Sequence, residues 1–225
     1  MGFARGDKKA NVLKNLKSFC KRLDINFDTL VFADQVHGDK IMLVGQEDRG
    51  KGINRRKDYI GVDALITGDT GVPLVTYHGD CVPLLILDPV NKGIGACHAG
   101  WKGTALKIGQ KTIIEMMKNL NSKAKNILVG IGPSIGKCCY QISEDLLEVF
   151  NSAFRDTTSF IGTDKGDSYM LDLWEANRQA LLEIGILDKN IIISDLCTSC
   201  NEKLFYSHRR DRGLTGRMAS IIELK

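Results

Sequence analysis

The chain has 225 residues and a formal net charge of +4, with 43% hydrophobic and 26% charged residues. This composition is typical of a soluble domain, and a domain of this length buries enough surface to need no disulfide bonds. No apolar run reaches the roughly 18 residues of a membrane span, and the small, scattered charge gives no indication of nucleic-acid binding.

The first half of the chain alternates helical and strand patterns. Hydrophobic spacing predicts helices at 8–22 and 102–120, and strands at 29–36, 62–67, 72–77, 82–87 and 94–97. The continuous apolar run 82–87 predicts a strand buried on both faces, and the turn residues at 88–93 predict a hairpin. The polar segment 46–60 is predicted to be a loop of the kind that often forms a lid beside an active site.

The second half repeats this mixture of elements. It is predicted to contain strands at 126–132, 191–196 and 218–224 and helices at 143–154 and 172–184. Ser143 is the predicted N-cap of the first of these helices, and Gly185 closes the second. Hairpins and strand–helix units in one chain favour an α+β fold, which we expect to form a single domain over residues 1–225.

Two histidines and one cysteine form the strongest candidate site. His37 and His98 stand beside glycine at predicted strand ends, in QVHG and CHAG. If the hairpin turns near residues 89–92, facing positions sum to about 180, so Cys81 and His98 are cross-strand neighbours at its open end. Two imidazoles and a thiolate with one open position are typical of catalytic zinc. Spacing alone leaves open that the three side chains are ordinary core residues.

Further histidines and cysteines carry weaker signals. His78 lies an odd number of residues before Cys81, so we expect it beside the ligands or in a pocket wall rather than among them. The odd total of seven cysteines favours a reducing cytoplasm. Two pairs, Cys138-Cys139 and Cys197-Thr-Ser-Cys200, are predicted to be core or pocket-lining thiols, with a structural zinc site or a redox pair as the alternative.

Six sequence blocks identify a resemblance. They are DQVHGDKI (34–41), VDALIT (62–67), GDCVPLLILD (79–88), CHAGWKGT (97–104), GIGPSIGKCCYQI (130–142) and FYSHRRDRGLTGRMASII (205–222). In this order they resemble the bacterial laccase-domain family, also called polyphenol oxidase or purine nucleoside phosphorylase-like proteins.

The resemblance implies a fold, a metal site and several activities. It implies two mixed β-sheets packed together and flanked by helices, with zinc held by His37, Cys81 and His98. Implied reactions are phosphorolysis of adenosine, inosine, guanosine and methylthioadenosine, and deamination of adenosine. Copper with laccase activity, and editing of peptidoglycan precursors, are attributed to some members. Two departures stand out: the usual Ala-Asp-Cys is Gly79-Asp80-Cys81 here, and we expect the family's N-terminal strand, with a substrate-site arginine, to be missing.

The preferred function is that of a zinc-dependent purine nucleoside enzyme of the cytoplasm, acting on a nucleoside and phosphate as a monomer or homodimer. Asp80 is the candidate acid or base. Trp101 and Tyr140 are candidates to stack on the purine, or else core residues, and positive charge for phosphate is expected from three residues: Lys102, Arg209 and Arg217. The segment 208–212 is equally compatible with a solvated basic loop.

Two other chemistries stay open. In a thiol hydrolase, Cys81 would be the nucleophile and His98 its base. A copper oxidase is the lesser alternative, because a multicopper laccase needs many more histidines than the four in this chain.

Overall fold

Strands and helices follow one another in mixed order in the computed structural model, which describes residues 1–2, 7–163 and 168–225. The strands are β1 (Val31–Phe32), β2 (Ile41–Leu43), β3 (Ala64–Thr67), β4 (Leu74–His78), β5 (Val82–Asp88), β6 (Gly93–Ala99), β7 (Leu128–Ile131), β8 (Gln141–Ile142), β9 (Ile161–Thr163), β10 (Tyr169–Leu171), β11 (Ile191–Ile193) and β12 (Met218–Ile222). The helices are α1 (Lys9–Leu23), α2 (Trp101–Ala105), α3 (Ile108–Leu120), α4 (Glu144–Ala153) and α5 (Leu173–Leu182). Within these described ranges, no helix combines the length and apolar character needed to cross a membrane.

Two mixed sheets pack face to face, which confirms the predicted fold class. The larger has the strand order β11-β7-β5-β6-β3-β2, and the smaller has the order β1-β4-β12. Side chains such as Leu65, Leu74 and Ala96 fill the space between them. Helices α3 and α5 cover the other face of the larger sheet, and α1 packs on the smaller one. An antiparallel sheet of β8, β10 and β9 was not predicted.

The β5–β6 hairpin lies at the centre of the larger sheet. Its register pairs Val82 with Ala99 and Asp88 with Gly93, so facing positions sum to 181 rather than about 180. Cys81 immediately precedes β5 and is therefore diagonal to His98. The prediction that Cys81 and His98 are neighbours at the open end of a hairpin is confirmed.

Several predicted elements have different bounds. The strand expected at 29–36 is reduced to β1, because residues 27–29 form a 3-10 turn. The helix expected at 102–120 is two helices, since Lys107 takes a left-handed conformation with φ of 56° between α2 and α3. Strands β3 and β4, although joined by a short turn, belong to different sheets. Ser143 takes the predicted N-cap position before α4, but its side chain makes no capping hydrogen bond. Gly185 follows α5 as predicted, with a left-handed φ of 87°.

The polar segment 46–60 is anchored rather than loose, contrary to the prediction of a lid. The ammonium group of Lys51 is buried and lies 2.6 Å from Asp48 and 2.7 Å from Asp58. The hydroxyl of Tyr59 donates to the carbonyl of Phe32 at 2.6 Å. The N–H of Phe32 in turn donates to the carbonyl of Lys51 at 3.0 Å. Because opening would break these two hydrogen bonds to β1, the segment is part of the packed fold.

Candidate metal centre

The three predicted ligands converge at one end of the β5–β6 hairpin. Donor atoms of His37, Cys81 and His98 all lie within 4.8 Å of one another. The two imidazole rings are 4.8 Å apart and nearly perpendicular, at 74°. His98 is buried, Cys81 is half-buried and His37 is exposed, so the group opens to solvent on the His37 side. Three donors of this kind with one open side fit a catalytic zinc ion.

A carboxylate that the sequence analysis did not single out organises two of the ligands. Asp63 is fully buried and faces His98 across the β3–β6 pair, where its Oδ1 lies 2.8 Å from Nδ1 of His98. Backbone N–H groups of Val36, His37 and Gly38 donate to the same carboxylate at 2.9–3.0 Å. Asp63 therefore orients the ring of His98 and fixes the turn that carries His37, which has a left-handed φ of 64°. A carboxylate behind a metal-binding histidine also raises the basicity of that ligand.

The absence of a side chain at Gly100 gives the metal ligands room to converge. A Cβ atom at this position would lie 3.0 Å from Cδ2 of His37 and 3.1 Å from Sγ of Cys81. Any larger residue would therefore push these two ligands aside. This close approach explains the glycine that follows the His-Ala pair of the hairpin's return strand.

Charges in the centre favour a thiolate at neutral pH. Burial favours the neutral thiol, but His98 and His37 outweigh it and lower the pKa of Cys81 to about 6. Burial likewise opposes the imidazolium, yet the charges of Cys81 and Asp63 raise the pKa of His98 to about 9. For Asp63, hydrogen bonds from His98 and from backbone N–H groups overcome burial and lower its pKa. A divalent cation would bind the thiolate and replace the proton on His98.

His78 lies beside the ligands, where it was expected. It is buried, its ring centre is 5.6 Å from that of His98, and its Nε2 contacts the hydroxyl of Thr76 at 2.8 Å. Burial and the charge of His98 hold the pKa of His78 well below its usual value. A neutral His78 adds no charge to the centre.

Asp80 is committed to hydrogen bonds that join distant segments. Its carboxylate accepts from the hydroxyls of Thr198 at 2.5 Å and Ser207 at 3.1 Å, and from the backbone N–H of Arg209 at 2.7 Å. The residue is buried and has a φ of 86°. These contacts fix the loop before Cys81 and favour a positioning role, whereas the acid–base role predicted for Asp80 stays a prediction.

Three of the predicted substrate residues line one cavity of about 440 Å3: Trp101, Tyr140 and Arg209. The guanidinium of Arg209 stacks over the ring of Tyr140 at 4.9 Å and donates to the carbonyl of Gln141 at 3.0 Å. The rest of the wall comes from β8 and from the N-terminal part of α4, which includes Asp145. An aromatic and cationic wall of this kind suits a flat anionic or heteroaromatic ligand.

The cavity adjoins the metal ligands. Trp101 follows Gly100, which packs on Cys81 and His37. Arg209 is tied to Asp80, the residue before Cys81. Burial, followed by the charge of Cys81, raises the pKa of Tyr140 to about 12.

The remaining two predicted anion contacts lie at the edge of this region. Lys102 is exposed, with its ammonium group 5.3 Å from the ring centre of Trp101. Arg217 is half-buried, donates to the carbonyl of Gly216 at 2.8 Å and lies close against Gly79. Because α2 has only five residues, its dipole gives less support to phosphate binding than the predicted long helix would.

Comparisons with known proteins agree with this architecture. The family model for multi-copper polyphenol oxidoreductase laccase matches residues 1–225. The purine nucleoside phosphorylase YlmD of Bacillus subtilis is 36% identical over 97% of this chain and 79% of its own length. A protein of the same name from Geobacillus stearothermophilus is 37% identical over 99% of this chain and 82% of its own length.

Solved structures show the same fold. The crystal structure of the hypothetical protein YfiH of Bacillus licheniformis superposes with a TM-score of 0.94 at 38% identity. The match covers 100% of this chain and 85% of that one.

Replacing a ligand should remove one equivalent of bound metal. We expect Cys81→Ala and His98→Ala each to lose it, because two remaining donors hold a divalent ion poorly. Elemental analysis after dialysis against the metal checks this. Retention of the full metal content in both variants would disprove the ligand assignment.

Asp63→Asn should lower the metal affinity about 10- to 100-fold, since the amide cannot replace the charged partner of His98. The matched control is Asp88→Asn, a fully buried carboxylate that accepts backbone N–H groups at the opposite end of the same hairpin. Competition titrations with a chromogenic chelator measure both variants. The Asp63 role fails if both variants bind metal equally well.

The metal-free protein should contain a Cys81 thiolate that titrates near pH 6. The difference in ultraviolet thiolate absorbance between wild type and Cys81→Ala measures this midpoint. Because the folded-state pKa is lowered, Cys81 should contribute stability above its ordinary pKa and lose it as the pH falls through about 6. His98, with its raised pKa, should contribute fully below its ordinary value and lose its contribution as the pH rises through about 9. A thiolate midpoint near the ordinary value of cysteine would contradict this pairing.

Proposed function

We propose that this chain, which belongs to the multi-copper polyphenol oxidoreductase laccase family, is a zinc-dependent purine nucleoside phosphorylase that also deaminates adenosine. Its candidate substrates are adenosine, inosine, guanosine and methylthioadenosine. The observation that carries the proposal is the cavity of Trp101, Tyr140 and Arg209 beside the His37, Cys81 and His98 ligand set. The names of the two curated relatives support it.

The ligand set fits a single metal ion. A bound zinc ion would supply a Lewis acid that polarises an oxygen atom of the reacting partner. The whole sequence contains only four histidines, and three of them, His37, His78 and His98, lie around this centre. Four histidines do not suit the several copper ions of a laccase, which argues against the oxidase chemistry in the family's name.

Phosphorolysis requires a base-stacking surface and an anion site. A phosphate oxygen attacks C1′ of the ribose, the bond from C1′ to the purine breaks, and its electron pair leaves with the base. Trp101 and Tyr140, which line the cavity, would hold the purine ring by stacking. Arg209 in the cavity wall would hold the phosphate through charge-assisted hydrogen bonds, and Lys102 and Arg217 are further candidates for this role.

Deamination would use water in place of phosphate. Water adds at C6 of adenosine and ammonia leaves, so no anion has to be bound. The two reactions therefore share the metal ligands but differ in their need for the cationic residues. This difference makes them separable by mutation.

A thiol hydrolase is the second candidate, and one observation favours it. Asp63, His98 and Cys81 are arranged like a catalytic triad: the carboxylate contacts Nδ1 of His98, and Cys81 has a lowered pKa beside the ring. In that reaction the Cys81 sulfur would attack an amide or ester carbonyl, for example in a peptidoglycan precursor, and His98 would protonate the leaving group. Water would then hydrolyse the resulting thioester, releasing the acid and restoring Cys81. Metal binding distinguishes the phosphorylase from the hydrolase, because a thiolate bound to zinc is a poor nucleophile.

Phosphate dependence tests the proposal. Incubated with inosine, the protein should release hypoxanthine only when phosphate is present, with an equal amount of ribose 1-phosphate. Removing the metal with a chelator should abolish this release, and restoring zinc should recover it. Release at full rate without phosphate would contradict the phosphorylase. Chelation that leaves nucleosides unreacted while activating hydrolysis of a peptidoglycan precursor would establish the hydrolase.

Charge removal tests the anion site. Arg209→Gln or Lys102→Gln should slow phosphorolysis about ten- to a hundredfold, which corresponds to one charge-assisted contact of about 1.5–3 kcal/mol. Deamination of adenosine should change much less, since it binds no anion. Lys118→Gln is the control, because Lys118 is an exposed lysine paired with Glu115 on α3. Equal losses in both reactions would place these residues outside the phosphate site.

A further inference from the structure

Four cysteines from two distant parts of the chain meet outside the centre described above. Cys138 and Cys139 lie on the 3-10 turn that follows β7, and Cys197 and Cys200 lie on the turn that follows β11. Their four sulfur atoms all lie within 4.8 Å of one another. Cys138 and Cys200 are exposed, which contradicts the expectation that these four are core or pocket-lining thiols.

The sulfur spacing matches a metal tetrahedron. Sγ of Cys200 lies 3.6 Å from that of Cys138 and 3.4 Å from that of Cys139. Zinc–sulfur bonds of about 2.3 Å in a tetrahedron place neighbouring sulfurs about 3.8 Å apart. A disulfide bond would bring two sulfurs to about 2.05 Å, and the four thiols are free.

The surrounding backbone holds the four thiols in place. The N–H of Gly136 donates to Sγ of Cys197 at 3.3 Å. A Cβ at Gly136 would lie 3.0 Å from Trp174 and 3.4 Å from Sγ of Cys138, so a side chain here would have to displace its neighbours. The N–H of Thr198 donates to the carbonyl of Ser134 at 2.9 Å, which ties the two loops together.

We infer that Cys138, Cys139, Cys197 and Cys200 bind one structural zinc ion, separate from the ion at His37, Cys81 and His98. Four thiolates fill the tetrahedral shell and leave no position for a substrate, which is the pattern of structural zinc. The ion would lock the turn that leads into Tyr140 to the turn whose Thr198 holds Asp80. It would thus fix one wall of the cavity without contacting the substrate.

The test uses Cys81→Ala, in which the other centre is disabled. Purified under reducing, oxygen-free conditions and dialysed against zinc, this variant should retain one zinc ion per chain, and the wild type two. Its cobalt-substituted form should show the strong visible and near-ultraviolet bands of a tetrahedral thiolate site. Adding Cys200→Ala should abolish both signals. Adding Cys20→Ala, which removes a buried thiol of α1, should change neither.

A second measurement does not depend on the folding of the variants. Titration of wild-type protein with an organomercurial should release two zinc ions per chain to a chromogenic chelator, one as Cys81 reacts and one as the four cluster thiols react. Three results would overturn the assignment: no metal in Cys81→Ala, iron in place of zinc, or a disulfide involving Cys200 in the freshly purified protein. Each is read by elemental analysis or by mass spectrometry of thiol-blocked peptides.

Discussion

The buried carboxylate of Asp63 is the interaction on which the candidate site depends. An ionised carboxylate without partners would be costly inside the protein. Here it accepts three backbone N–H groups from residues 36–38 and contacts the ring of His98. One charge thereby fixes two metal ligands that are 61 positions apart in the sequence (37 and 98). The left-handed backbone of His37 persists because this hydrogen-bonded turn holds it.

Asp80, the residue before Cys81, is a second buried carboxylate that joins distant segments through its hydrogen bonds. Asp80 accepts from Thr198, Ser207 and the backbone of Arg209. It thus joins the loop before β5 to the C-terminal basic segment, whose Arg209 forms part of the cavity wall. Together, Asp63 and Asp80 fix the positions of the metal ligands relative to the cavity wall. The four-cysteine cluster makes a third long-range contact, which joins the turn that leads into Tyr140 to the turn that carries Thr198.

The sequence predicted the parts of this arrangement that depend on local pattern. The β5–β6 hairpin, the neighbouring positions of Cys81 and His98, and the ends of α4 and α5 follow from turn residues, alternation and caps. These local patterns could not predict which strands pair over long distances in the sequence. The segment VDALIT does not indicate which strand β3 pairs with. Its pairing with β6 is what puts Asp63 opposite His98. The break at Lys107 and the meeting of Cys138 with Cys200 also depend on tertiary packing. Residues 46–60 are irregular, as predicted, but their polar sequence did not indicate that Lys51 and Tyr59 are buried and that the segment is tied to β1.

The central claim is that Asp63 and the hairpin hold an open site of two imidazoles and one thiolate for a single metal ion. X-ray absorption spectroscopy at the zinc edge tests it most directly, on a Cys200→Ala protein in which the cysteine cluster is disabled. The account predicts two imidazole nitrogens at about 2.0–2.1 Å, one sulfur at about 2.3 Å and one further light atom. A shell with several sulfurs, or with none, would contradict it.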